Sequence, residues 1–204
     1  MKDIDKALMD IANIRGQLAA GTEFQGFGPT IITATGLLAG ITMMLQLFFA
    51  ETFATTNMEL LILWVFTAII SVIIIGIEMI ARSRRHHKGL ADAMLANAVE
   101  QFLPSGFAGA AIGAVLMKYS SENIWMLPGI WQVCLALGIF AAVRSLPKTI
   151  SIVGAWYFLS GITVLLIGCI NESITPWMMG LPFLFGQLLM GFLLYIASEE
   201  QHDE

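Results

Sequence analysis

The chain has 204 residues, of which 57% are apolar and only 12% are charged, and its mean hydropathy is +0.80. A soluble domain usually has about 25% charged residues, so a single water-soluble core is excluded. The net charge of −5 and the absence of a broad basic stripe argue against a nucleic-acid partner. Two cysteines cannot form a disulfide framework or a four-thiolate metal site. The composition predicts an integral membrane protein.

Residues 1–28 form a separate predicted element with a different pattern. Apolar residues recur there at helical spacing, with charged residues between them: Ile4, Leu8, Ile11 and Leu18. This pattern predicts an amphipathic helix on the membrane surface or against the bundle. A glycine-rich turn follows, and Pro29 is well suited to the first position of the next helix.

Residues 29–198 contain six apolar runs, each long enough to cross about 30 Å of hydrocarbon as a helix. The predicted spans are 29–50, 59–81, 90–118, 123–143, 149–170 and 176–198. Runs of this length are about twice as long as the strands of a membrane barrel. The predicted fold is therefore all-α with six transmembrane helices, followed by an acidic tail at 199–204.

Positive residues are distributed unequally between the two sides of this predicted bundle. Nine of the ten lysines and arginines lie in the N-terminal segment or in the connectors after spans two and four, and Lys118 alone lies on the other side. Because cytoplasmic loops are enriched in Lys and Arg, both termini are predicted to be cytoplasmic.

Glu100 is the first candidate for a functional residue, because an ionisable group inside hydrocarbon is costly. At 1.5 Å per residue it lies about 5 Å from the centre of the predicted span 90–118. Asn97, Gln101 and Pro104 share its helical face. Pro104 is expected to kink the helix and to free the backbone oxygen of Glu100.

Glutamines in other spans lie at a similar predicted depth. Gln132 and Gln187 are near the centres of spans four and six, whereas Gln46 is nearer one end of span one. These residues predict a cluster of Glu100, Gln101, Gln132 and Gln187, for which two interpretations stay open. In the first, the cluster lines a path or binding site for a small polar solute or proton. In the second, its members form structural hydrogen bonds with one another.

Small residues form two stripes at four-residue spacing. One comprises Ser105, Gly109 and Gly113, and the other Gly36 and Gly40. Such stripes favour close helix packing or a homo-oligomer.

Signatures of catalysis are missing from the sequence. There is no P-loop and no HExxH or GxSxG motif, and no predicted span contains a histidine. The sequence therefore predicts no catalytic residue, no metal site and no cofactor, and it favours a protein that is not an enzyme.

Five short segments carry a resemblance to a known group of proteins. They are IRGQLA at 14–19, GFGP at 26–29, EQFLP at 100–104, WMLPG at 125–129 and VGAWY at 153–157. Together they resemble a group of uncharacterised bacterial inner-membrane proteins with six spans. The resemblance implies a bacterial inner-membrane location, and it implies no activity and no functional residue.

Two functional hypotheses follow from the sequence. The first is a channel or transporter in which Glu100 gains and loses a proton and the amides supply hydrogen bonds. The second is a membrane regulatory or scaffold protein that presents its N-terminal helix, the basic loop 82–88 and the acidic tail to a cytoplasmic protein partner.

Overall fold

The computed structural model describes residues 27–53, 56–86, 91–143 and 146–200. The predicted N-terminal amphipathic helix and residues 201–204 of the predicted tail lie outside these ranges. All regular secondary structure within them is helical, and six helices are long and apolar enough to cross a membrane. The prediction of an all-helical fold with six such helices is confirmed. This is the architecture expected of a multi-pass membrane protein.

The six long helices follow one another with short connections. They are α1 (Pro29–Phe48), α2 (Asn57–His86), α3 (Ala91–Tyr119), α4 (Leu127–Ala142), α5 (Ser151–Asn171) and α6 (Trp177–Glu200). A short helical turn at Ala50–Phe53 follows α1, and 3-10 helices at Ser121–Met126 and Lys148–Ile150 lead into α4 and α5.

Local sequence sets several of the helix ends. Gly28 is the residue before α1, and Pro29 occupies its first turn, where a missing N–H leaves no helical hydrogen bond unmade. Helix α5 is capped by Glu172, the residue after its end, whose φ of 47° is left-handed and whose N–H donates 2.8 Å to the oxygen of Gly168. That geometry reverses the chain into α6.

The helices form an antiparallel ring in which each contacts the next and α6 returns to α1, while α4 also contacts α6. The most extensive contacts are between α1 and α6 and between α4 and α5. Glycines allow the close approach of the helices in both pairs. A methyl group on Gly36 would lie 2.8 Å from Cβ of Gln187, and one on Gly161 would lie 2.9 Å from the oxygen of Gly129. Side chains are excluded at these points, so the backbones approach closely.

Large apolar side chains cover much of the outer surface. Phe48, Val72, Phe107 and Ile170 are each more than two-thirds exposed. Exposing an apolar surface of this size to water would be unfavourable, whereas the hydrocarbon of a bilayer solvates it. The buried interior is therefore small, and each buried polar group in it needs an explanation.

Candidate functional site

Glu100 lies on the exposed surface of α3. Glu100 is the tenth residue of this helix, Ala91–Tyr119, and its depth in a bilayer stays a prediction. Asn97 and Gln101 are half-buried, and Pro104 is exposed. Helix α3 runs without interruption through Pro104.

Contacts between α3 and α4 fix the relative height of Glu100 and Gln132. Gly138 of α4 lies against Phe102 and Ser105, whereas the ring of Trp131 lies against Gly109 and Gly113. Gln132 is therefore level with the Gly109–Gly113 segment, nine or more residues beyond Glu100. At 1.5 Å per residue the two are about 14 Å apart along the bundle. The structure does not bring Glu100 and Gln132 together.

The predicted packing stripes lie at two helix interfaces. Gly109 and Gly113 contact Trp131, whose Nε1 donates 3.0 Å to the oxygen of Gly109, and Ser105 lies at Gly138. Gly36 and Gly40 face α6 at Gln187 and Leu184. Both stripes serve contacts within the chain, and their role in a homo-oligomer stays a prediction.

Gln46 is a fully buried amide with both of its ends hydrogen-bonded. Its Nε2 donates 3.1 Å to the oxygen of Leu60, and its Oε1 accepts from Nε1 of Trp64 at 2.9 Å. One to two turns away, the hydroxyls of Thr42 and Thr67 are 3.0 Å apart. These contacts join α1 to α2, so Gln46 is a structural residue.

Gln132 is also fully buried, but its amide is only half satisfied. Its Nε2 donates 2.8 Å to the backbone oxygen of Met178 on α6. Its Oε1 is buried and has no hydrogen-bond partner among the described residues. An amide oxygen without a partner is costly in an apolar interior.

Pro182 explains why the oxygen of Met178 is available. In a helix this oxygen would accept from the N–H four residues later, and that residue is Pro182, which has no N–H. Gln132 supplies the missing donor from α4. Pro182 therefore frees a carbonyl within α6, the effect that the sequence predicts for Pro104 in α3, and a side chain of α4 satisfies it.

Trp156 of α5 contacts the same part of α6. Its Nε1 donates 3.0 Å to the backbone oxygen of Pro182. Side chains of two neighbouring helices thus bond the backbone of α6, one at Met178 and one at Pro182 itself. This arrangement holds the proline-containing turn in place.

Tyr157 is 1% exposed, and its hydroxyl has no hydrogen-bond partner in the described residues. Its ring packs against Phe183 at 5.4 Å between centroids. A methyl group on Gly186 would overlap the hydroxyl end of this side chain. The hydroxyl therefore lies directly at the backbone of α6.

Gln187 has a third buried oxygen without a partner. Its Oε1 lacks a hydrogen bond within the described part of the chain, and its Cβ lies at Gly36 of α1. Gln132 and Tyr157 each bring an unpartnered oxygen to α6, and Gln187 of α6 has another on the side that faces α1; we call these three the α6 polar group. They come from α4, α5 and α6. The hydroxyl of Thr175, in the connection before α6, is a fourth unpartnered atom in the described residues.

Formal charge is absent from the buried interior. Among the described residues, no Asp, Glu, Lys, Arg or His is buried. No group of three His, Cys, Asp or Glu in these residues could hold a metal ion. The chemistry available at the α6 polar group is therefore hydrogen bonding by neutral groups.

Sequence reasoning identified Gln132 and Gln187 but missed Tyr157 and Pro182. A signal for both was present, because a tyrosine in the middle of an apolar run and a proline four residues after a helical carbonyl are visible in the sequence. The half-satisfied state of Gln132 depends on the packing of α4 against α6, which no local pattern contains.

Comparison with known proteins returned no matching family model, no matching curated protein and no matching solved structure. The resemblance to bacterial six-span proteins stays a prediction.

Proposed function

We propose that this multi-pass membrane protein binds a small polar solute between α4, α5 and α6 and passes it across the membrane. One observation carries the proposal. Gln132 is fully buried in the middle of its span, yet its Oε1 has no partner among the described residues. Buried polar groups in native proteins are nearly always hydrogen-bonded, so an unpartnered one calls for a partner from outside the chain.

The contrast between Gln132 and Gln46 supports this reading. Both glutamines are 0% exposed. Gln46 uses both ends of its amide to join α1 to α2, whereas Gln132 leaves its acceptor free. A purely structural role explains both ends of the Gln46 amide, but it does not explain the unpartnered oxygen of the Gln132 amide.

Glu100 has no part in this proposal, because it lies on the exposed surface of α3, away from Gln132. The alternative role as a regulatory or scaffold protein stays a prediction, since most of the segments that it invokes lie outside the described residues.

Solute entry into proteoliposomes tests the proposal. The probes are urea, glycerol and guanidinium, and entry is followed by stopped-flow light scattering. We expect entry of at least one probe to exceed that into protein-free vesicles. Gln132→Leu should lower it about tenfold, because one lost hydrogen bond of about 1.4 kcal/mol is a factor of ten.

Thr163→Val is the matched control for this experiment. Its hydroxyl is exposed and bonds only its own helix, donating 2.8 Å to the oxygen of Leu159. Entry should be unchanged in this variant. Rates for all three probes equal to those of protein-free vesicles would contradict the proposed function.

A further inference from the structure

The unpartnered atoms of the α6 polar group are mainly hydrogen-bond acceptors. Two of the three are amide oxygens, Gln132 Oε1 and Gln187 Oε1, which accept and cannot donate. The third is the hydroxyl of Tyr157, which can do both. A molecule that satisfies this group must therefore bring hydrogen-bond donors.

The positions of these atoms limit the size of the molecule. Gln132 reaches α6 at Met178 and Tyr157 reaches it at Gly186, eight residues further on. These points are about 12 Å apart along the helix axis. Glycine backbones lie beside both side chains, with Gly161 at Gln132 and Gly186 at Tyr157. Such close packing limits a ligand to a few heavy atoms.

The charge distribution limits the ligand further. A cation in the middle of the bundle would need a carboxylate or many oxygen ligands, and an anion would need donors in excess of acceptors. Among the described residues, no carboxylate, ammonium or guanidinium group belongs to a buried residue. A charged ligand would therefore be desolvated without compensation.

From these observations we infer that the α6 polar group selects a small, electrically neutral hydrogen-bond donor and excludes ions. The inference rests on the proposed function and adds the class of solute. Urea is a suitable probe because it is small, neutral and rich in N–H donors.

Comparing the entry of urea with that of guanidinium tests the effect of ligand charge at nearly constant ligand shape. Both are planar and of nearly equal size, both donate through N–H groups, and only guanidinium is a cation. We expect urea entry into proteoliposomes at least about tenfold above that into protein-free vesicles, and guanidinium entry equal to that into protein-free vesicles. Gln132→Leu should lower urea entry about tenfold, Tyr157→Phe should lower it severalfold, and Thr163→Val should leave it unchanged.

The outcomes distinguish the inference from the proposed function. Guanidinium entry comparable to that of urea, and lost in Gln132→Leu, would overturn the inference and retain the proposed function. Entry of urea, glycerol and guanidinium at the rates of protein-free vesicles would overturn both.

Gln132→Asn provides a second variant if Gln132→Leu does not fold. It keeps an amide on a side chain that is one methylene shorter, and we expect the same loss of urea entry. Urea entry unchanged in both Tyr157→Phe and the position-132 variant would also overturn the inference.

Discussion

The Nε2 of Gln132 donates a hydrogen bond of 2.8 Å to the backbone oxygen of Met178, which Pro182 leaves without its helical donor. A proline inside a helix is destabilising when the freed carbonyl is left unpaired. Here a side chain from α4 supplies the donor, and the other half of its amide is left unpartnered in the middle of the bundle. Helix geometry and the candidate site are thus linked through one residue.

This link can be measured with a double-mutant cycle at Gln132 and Pro182. In Pro182→Ala the backbone N–H of residue 182 supplies the donor for Met178, so Gln132→Leu should cost less than it does in the natural chain. We expect a coupling free energy of about 1 kcal/mol. Equilibrium unfolding in detergent micelles gives the four free energies. Additive effects of the two substitutions would show that Gln132 does not replace the donor that proline lacks.

Gln46→Leu should destabilise the bundle more than Gln132→Leu does. It removes two interhelical hydrogen bonds and leaves Nε1 of Trp64 without its acceptor. We expect a loss of about 1–2 kcal/mol in the free energy of unfolding, in the range measured for hydrogen bonds between membrane helices. Gln132→Leu removes one bond and also one unpartnered oxygen. An equal or larger loss in Gln132→Leu would contradict the assignment of Gln46 as the structural amide.

The glycines of the α4–α5 interface should be intolerant of any side chain. Gly161→Ala places a methyl group 2.9 Å from the oxygen of Gly129 and should cost about 1–3 kcal/mol through overpacking. Gly106→Ala on α3 is the matched control, because nothing lies within 4 Å of the added methyl group. There, the higher helix propensity of alanine should leave stability unchanged or raise it by up to about 1 kcal/mol. Thermal unfolding of both variants decides this, and equal midpoints would contradict the packing described for α4 and α5.

Tyr157→Phe should lower urea entry without lowering the stability of the protein. The hydroxyl has no partner within the described residues, so its removal should leave the free energy of unfolding unchanged or raise it by about 1 kcal/mol in the absence of solute. Urea entry should fall in the same variant. A loss of stability of about 1 kcal/mol or more would show instead that the hydroxyl is bonded in the folded protein.

Much of the fold could be predicted from the sequence, because six apolar runs and Pro29 mark helices whose length is set by the bilayer. The surroundings of Glu100 could not. Helical spacing gives the face on which a side chain lies but not which helix packs against that face, and in the structure Glu100 is exposed on α3, about 14 Å along the bundle from Gln132. The α6 polar group depends on which faces of α4, α5 and α6 meet, and glycines such as Gly161 and Gly186 determine those contacts only in three dimensions.

Aqueous access to position 132 is the most direct test of the central claim. Gln132→Cys would be prepared in a chain carrying Cys134→Ala and Cys169→Ala, and treated in proteoliposomes with a small, membrane-impermeant thiol reagent. Val164→Cys, at an apolar position that is 3% exposed, is the buried control, and Glu122→Cys, at an exposed position in the 3-10 helix between α3 and α4, is the accessible one. We expect the cysteine at position 132 to react faster than that at 164, and we expect urea to slow the reaction. Reaction at position 122 with none at 132 would contradict a solute site inside the bundle.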